Sequence, residues 1–218
     1  MSKGANKEAA LQCRCGDVRG RLANASPAAT SRVVCYCDDC QAFLHHIGRA
    51  DLLDAHAGSD IVAVAPASLS IDHGTDRIVG VRLTPKGLYR WYSSCCKTPL
   101  GNTLGPEIPF VGIVVQAFEG GGLAPDDVFG EPIGAIQGKY AVGDAPKGST
   151  RFNVRLALRA VGRMVAWRLA GQNWPHPYFD RATRAPSHPV STLSGAEREA
   201  LRPLCGPKPA ARSAPLSE

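Results

Sequence analysis

Short apolar stretches separated by turn residues run through the first part of the chain. Val33-Val34, Ile61 to Val64, Leu69-Ser70-Ile71, Ile78 to Leu83 and Leu88 to Tyr92 are β-branched or alternating, and Gly58-Ser59, Asp72-His73-Gly74-Thr75-Asp76 and Pro85-Lys86-Gly87 lie between them. A period of two puts successive side chains on opposite faces of a strand, so these stretches predict an antiparallel sheet. The longest apolar run, Ile108 to Phe118, is interrupted by Pro109 and Gly112. It is about half the length that spans a bilayer and reads as a buried strand, so no transmembrane segment is expected. A short helix is expected over His45 to Ala57.

The period changes after Gly143 to Thr150, a polar stretch containing Gly, Pro and Ser of the kind that separates units. Val154, Leu158, Val161, Val165 and Leu169 follow helical spacing, and Arg151, Arg155, Arg159 and Arg163 recur every four residues on another stripe. This predicts an amphipathic helix, with two readings: packed on the sheet by Val154, Leu158, Val161 and Val165 with the arginines in solvent, or used as a basic contact surface. Beyond Gly171 the chain is Pro-rich, and Ser194 to Leu201 reads as a short helix begun by a Ser-x-x-Glu cap. The expected fold is mainly β over residues 10–144, followed by a basic helical and Pro-rich extension over 145–218.

Charge supports that division. Residues 1–144 hold 13 Lys+Arg against 15 Asp+Glu, whereas 145–218 hold 12 against 4, so the net charge of +6 resides in the tail. At 218 residues, 44% hydrophobic and 20% charged, the chain can bury a core, which excludes disorder as the default. Met1 to Leu11 is polar and has no apolar stretch of the kind a secretory signal needs, so a cytoplasmic location is expected. No nucleic-acid motif accompanies the basic tail, and no nucleic-acid partner is expected.

The chemistry lies in the cysteines. Seven of eight fall in three groups: Cys13-Arg14-Cys15, Cys35-Tyr36-Cys37-Asp38-Asp39-Cys40 and Cys95-Cys96. Thiols one or two residues apart on a turn can aim their sulfurs at one centre, and a reducing cytosol keeps them free, so zinc is favoured over a disulfide framework. Cys35, Cys37 and Cys40 offer three ligands from one turn, leaving a fourth position open, as in catalytic zinc sites. Cys13 and Cys15 can combine with Cys95 and Cys96 into a closed structural site. Cys205, beside Pro203 and Pro207, reads as a buried apolar residue.

Cys13-Arg14-Cys15-Gly16-Asp17-Val18-Arg19-Gly20, Cys35-Tyr36-Cys37-Asp38-Asp39-Cys40-Gln41 and Arg90-Trp91-Tyr92 with Cys96-Lys97-Thr98-Pro99-Leu100 together resemble the three blocks of the glutathione-dependent formaldehyde-activating enzyme family. The resemblance covers roughly residues 11–115. It implies a zinc-binding β-tent fold, a structural zinc on the first and third blocks, and a second zinc on the middle block. There a small-molecule thiol such as glutathione would add to an aldehyde, a carbon-sulfur lyase reaction in reverse. The third block departs from the family: Ser93 stands where its first cysteine belongs and Lys97 where its glycine belongs. Cys95 is the substitute ligand, although neighbours on an extended chain point to opposite faces, so joint ligation with Cys96 requires a bend.

The enzyme reading assigns Cys35, Cys37 and Cys40 the catalytic role, with zinc lowering the pKa of an incoming thiol. Asp38 and Asp39 read as proton carriers or as an exposed turn. His45 and His46 read as groups near that zinc or as a helix start. Arg90-Trp91-Tyr92 reads as strand core and edge. The alternative is a non-enzymatic zinc-stabilised interaction module, and the tail leaves a homodimer open.

Overall fold

A computed structural model describes residues 8–122 and 124–207 of the chain. Its elements, in order, are β1 (Ala9–Gln12), β2 (Arg19–Leu22), β3 (Ser31–Cys35), α1 (Asp38–His46), β4 (Ser59–Val64), β5 (Leu69–His73), β6 (Ile78–Arg82), β7 (Tyr89–Ser93) and β8 (Pro99–Thr103). There follow β9 (Val111–Val114), α2 (Pro125–Phe129), β10 (Ala135–Ile136), α3 (Val154–Leu169), β11 (Val190–Thr192) and α4 (Gly195–Ala200). The architecture is largely β with a few helices. One sheet of eight strands runs β10-β3-β4-β9-β8-β7-β6-β11, and a small sheet runs β1-β2-β5. The six central strands of the large sheet are antiparallel, and a short parallel strand closes each edge, β10 on β3 and β11 on β6.

The main core lies between the two sheets. Ala9, Leu11, Leu22 and Leu69 from the small sheet meet Val62, Ile78, Trp91, Leu100 and Ile113 from the large one, all buried. Within the small sheet, β2 and β5 approach closely at Gly20, where a Cβ would lie 2.1 Å from the Ser70 carbonyl oxygen; the β2–β5 register shifts at this point. Trp91 is stacked on Tyr178 with ring centroids 4.9 Å apart, and the Tyr178 hydroxyl donates to the Leu100 carbonyl at 2.7 Å. Residues beyond the boundary at 145 therefore fold onto the sheet and complete its core. The other face of the large sheet carries α1: Phe43 packs edge-on against Tyr92, in a second cluster with Val81, Leu83 and Leu193.

Three local expectations are corrected. The helix expected over His45 to Ala57 instead spans Asp38–His46 and contains the third clustered cysteine. Cys37 is extended and caps it, its thiol accepting the Cys40 N–H, while Asp38 and Asp39 occupy the first turn, where carboxylates suit the exposed N–H groups. Beyond His46 the chain turns at Gly48 in the left-handed region, and the Asp54 carboxylate takes the N–H groups of His56 and Gly58, leaving only a 3-10 turn at Ala50–Leu52. The run Ile108 to Phe118 forms strand only over Val111–Val114 before winding into a 3-10 helix, Val115–Gly121.

The third correction concerns α3. The helix forms where the periodicity placed it, capped by Asn153, whose side chain accepts the Leu156 N–H. It does not seat by Val154, Leu158, Val161 and Val165; these are exposed, as is Leu169. The half-buried side carries Leu156, Ala157, Arg163, Met164 and Trp167, with the Arg163 guanidinium donating to the Ala28 carbonyl at 2.8 Å.

Candidate metal centre

Cys13, Cys15, Cys95 and Cys96 converge, all four sulfurs lying within 4.8 Å of one another. The separations are 3.5 Å for Cys13 to Cys15, 3.2 Å for Cys15 to Cys95, and 3.9 Å for both Cys13 to Cys95 and Cys95 to Cys96. Four sulfurs at tetrahedral zinc distance are about 3.8 Å apart, so the set needs only small shifts to close on an ion. Cys13 and Cys15 sit on a turn after β1. Gly16 takes a φ of 82°, and the Val18 N–H points at the Cys13 sulfur at 3.2 Å. The opposite pair sits in the β7–β8 turn, where Lys97 takes a φ of 59° and donates its N–H to the Ser93 carbonyl. This bend lets adjacent Cys95 and Cys96 face one centre. The Ser93 hydroxyl lies beside the four thiols, 3.3 Å from the Cys96 sulfur, and accepts the Thr98 N–H. The Thr98 hydroxyl in turn accepts the Arg14 N–H, so the group joins the small sheet to the large one.

Cys35, Cys37 and Cys40 form the second group, also with sulfurs within 4.8 Å of one another. Cys35 ends β3, Cys37 caps α1 and Cys40 lies in its first turn, so the sulfurs gather where the helix presents unpaired N–H groups. Cys35 and Cys40 are buried and Cys37 is half-buried. Ile61 and Ile136 pack against them.

Arg90 stands beside this group. Its side chain is 1% exposed, yet among the described residues no carboxylate lies within ion-pair distance of it. Its Nη1 is 3.8 Å from the Cys40 sulfur and 3.2 Å from the Asn102 Oδ1, and the guanidinium lies over the Phe43 ring. A buried cation is costly unless an anion faces it. Here the available anion is thiolate.

The two groups share an electrostatic pattern. Cys40 is held well below the ordinary thiol range by hydrogen bonds from Cys35 and Cys37 and by Arg90, whereas the contacts with Cys37 and Cys40, and then burial, push Cys35 well up. Cys37 is raised to about 12: the Cys35 contact lowers it, but Cys40 and burial outweigh that. In the four-cysteine group, burial raises Cys96, yet hydrogen bonds from Ser93, Thr98 and Cys15 bring it to about 5, while burial raises Cys95. Sulfurs this close cannot all carry charge unless a cation sits among them. Both groups therefore have the spacing and the chemistry to hold a metal ion.

Other singled-out residues sit elsewhere. His45 and His46 occupy the last turn of α1, away from the cysteines at its start, and neither joins a ligand group. Asp38 and Asp39 are not an exposed turn: the Arg198 Nη2 donates to both, at 2.8 and 2.9 Å. Cys205 is half-buried, its thiol 3.6 Å from the Asp38 carbonyl, outside both groups. Two participants escape a sequence reading. Arg90 is one arginine within a strand pattern, and Arg198 lies 160 and 159 residues from Asp38 and Asp39, the acids it holds; neither bears a local signal of its partner.

No match to the chain is found among curated proteins. The model of a family of unknown function (DUF6151) matches residues 5–186, most of the chain, which therefore belongs to that family.

Proposed function

We propose that the protein binds two zinc ions, a structural one on Cys13, Cys15, Cys95 and Cys96 and an open one on Cys35, Cys37 and Cys40, and that the open site handles a small-molecule thiol in a carbonyl-thiol adduct reaction. The observation that carries this reading is the difference between the groups: four sulfurs in one, three in the other. All-thiolate sets suit zinc. The resemblance to the glutathione-dependent formaldehyde-activating enzymes adds the reaction class, a carbon-sulfur lyase acting on an adduct such as S-hydroxymethylglutathione. Two features support that resemblance and its β-tent fold: a small sheet closing on a large one over a shared core, and the left-handed Lys97 at the position of the family's glycine.

When bound, zinc would supply the open position and lower the pKa of a thiol placed there. The chain's own groups do the rest. Cys35, Cys37 and Cys40 fix three of four positions. Arg90 balances their charge from the buried side, and Asn102, which also donates to the Gly112 carbonyl at 3.1 Å, holds Arg90 in place. Arg198 clamps Asp38 and Asp39, so these carboxylates fix the start of α1 and are engaged rather than free to carry protons. Half-buried Cys37 marks the side open to an incoming thiol.

The test is exchange spectroscopy of glutathione with formaldehyde near equilibrium, extended to other low-mass thiols. Exchange faster than the uncatalysed background, abolished by Cys37→Ser, is the expected result. If no thiol in the panel is exchanged faster or binds in a zinc-dependent manner, the interaction-module reading takes its place. The exposed apolar face of α3 is the observation that favours that second reading.

A further inference from the structure

The outward face of α3 carries a row of apolar side chains that the core leaves uncovered. Val154, Leu158, Val161, Val165 and Leu169 recur at spacings of four, three, four and four residues, which places them on one side of a helix about 24 Å long. They are 52–84% exposed, and Phe152, just before the helix, is 82% exposed. Single exposed apolar residues are ordinary in folded proteins, but five in a row along one helix face mark a contact surface.

Charge identifies the occupant. From 145 to 179 the chain has six Lys+Arg and no Asp or Glu. By helical geometry Arg155 and Arg159 lie toward one edge of the strip, and both are exposed; Arg168, on the other edge, donates to the Glu107 carbonyl at 2.6 Å and pairs with its carboxylate. Arg163 and Trp167 belong to the seated side, with Leu156 lying against Gly134, so the strip faces away from the sheet. A second copy packed on this face would bring arginine against arginine with no acid in the segment to pair with them. An apolar strip edged by arginines, in a helix of low overall hydrophobicity, is the pattern of a helix lying in the plane of a lipid interface. Its apolar side enters the acyl boundary while the arginines meet anionic headgroups.

We infer that α3 docks the protein on an anionic membrane surface, parallel to the bilayer, by Val154, Leu158, Val161, Val165 and Leu169, with Arg155 and Arg159 at the headgroups. The helix does not cross: no described helix is long and apolar enough to do so. The inference is independent of the zinc chemistry.

The test is co-sedimentation of the full chain with vesicles of phosphatidylcholine alone and of phosphatidylcholine with phosphatidylglycerol, at low and high salt, alongside light scattering of the free protein. Binding to the anionic vesicles only, weakened by salt, is expected from a monomeric chain. Arg155→Glu with Arg159→Glu should weaken it on the order of tenfold or more. Leu158→Glu with Val165→Glu should abolish it. Both pairs are exposed, so unchanged melting curves and zinc content will show that the variants fold. Absence of binding to anionic vesicles overturns the inference. So does a free dimer that Leu158→Glu with Val165→Glu dissociates, which assigns the face to a second copy, or equal binding to neutral vesicles, which removes the role of the arginines.

Discussion

Arg90 is a fully buried guanidinium whose nearest candidate counter-charge is the Cys40 sulfur. Three thiolates around a divalent ion carry one net negative charge, which Arg90 neutralises. Arg90→Gln keeps much of the shape and removes the charge, so it should weaken metal retention at Cys35, Cys37 and Cys40 by roughly 10- to 100-fold. The four-cysteine group should be unaffected. Arg90→Lys should restore part of the loss; competition with a chromophoric chelator reads all three. Ser93 and Cys95 make a second residue-scale contrast. Cys95→Ala should release metal from the four-cysteine group, whereas Ser93→Ala should retain it, because the Cys95 thiol is one of the four converging sulfurs and the Ser93 hydroxyl is held by the Thr98 N–H. The sequence supplied the seven clustered thiols, since paired spacing is local. It did not supply the bend at Lys97 that makes Cys95 and Cys96 converge, nor the register that buries Arg90 against Cys40, because both depend on strands brought together by the fold.

At the scale of elements, the three-cysteine group is built at the junction of β3 and α1, and α4 holds α1 in place. Arg198 bridges the two through Asp38 and Asp39, and the Gly206 N–H donates to the buried Gln41 side chain at 2.6 Å. Arg198→Ala should lower stability by about 1 kcal/mol, since the pair is only partly shielded from water, and should speed metal loss from the three-cysteine group. Urea unfolding and chelator kinetics check the two parts. The strands between β3 and β7 were legible because β-branched runs and turn residues punctuate them. The start of α1 was not, because Cys37-Asp38-Asp39 carries turn residues that also begin helices. The helical period of α3 was legible, but periodicity reports only that one face differs from another. Which side seats is decided by Leu156, Arg163 and Trp167 meeting other parts of the chain.

Contacts between the first and last parts of the chain, Tyr178 stacked on Trp91 and β11 on β6, tie the whole molecule together, and the four-cysteine group joins the two sheets within the first part. His176 belongs to this interior. Its Nδ1 accepts the Tyr178 N–H at 3.1 Å, and burial lowers its pKa to about 4. The folded state thus binds this proton less readily than the unfolded one, whose value is 6.5. Its contribution is complete above pH 6.5 and is lost as pH falls toward 4, by up to about 3 kcal/mol. Wild-type melting temperature should fall through that window more steeply than that of His176→Phe. Cys13→Ser should reduce stability more than Cys40→Ser, because the first opens a closed group joining two sheets and the second alters an open one. Equal melting temperatures would remove the distinction between the groups.

The most direct measurement is metal content per chain by native mass spectrometry, on protein purified without added metal, before and after mild chelation. Two zinc ions are expected, one lost readily and one retained, with Cys40→Ser lacking the labile ion and Cys13→Ser the retained one. A chain that binds no metal, or whose metal content is unchanged by both substitutions, would contradict the account.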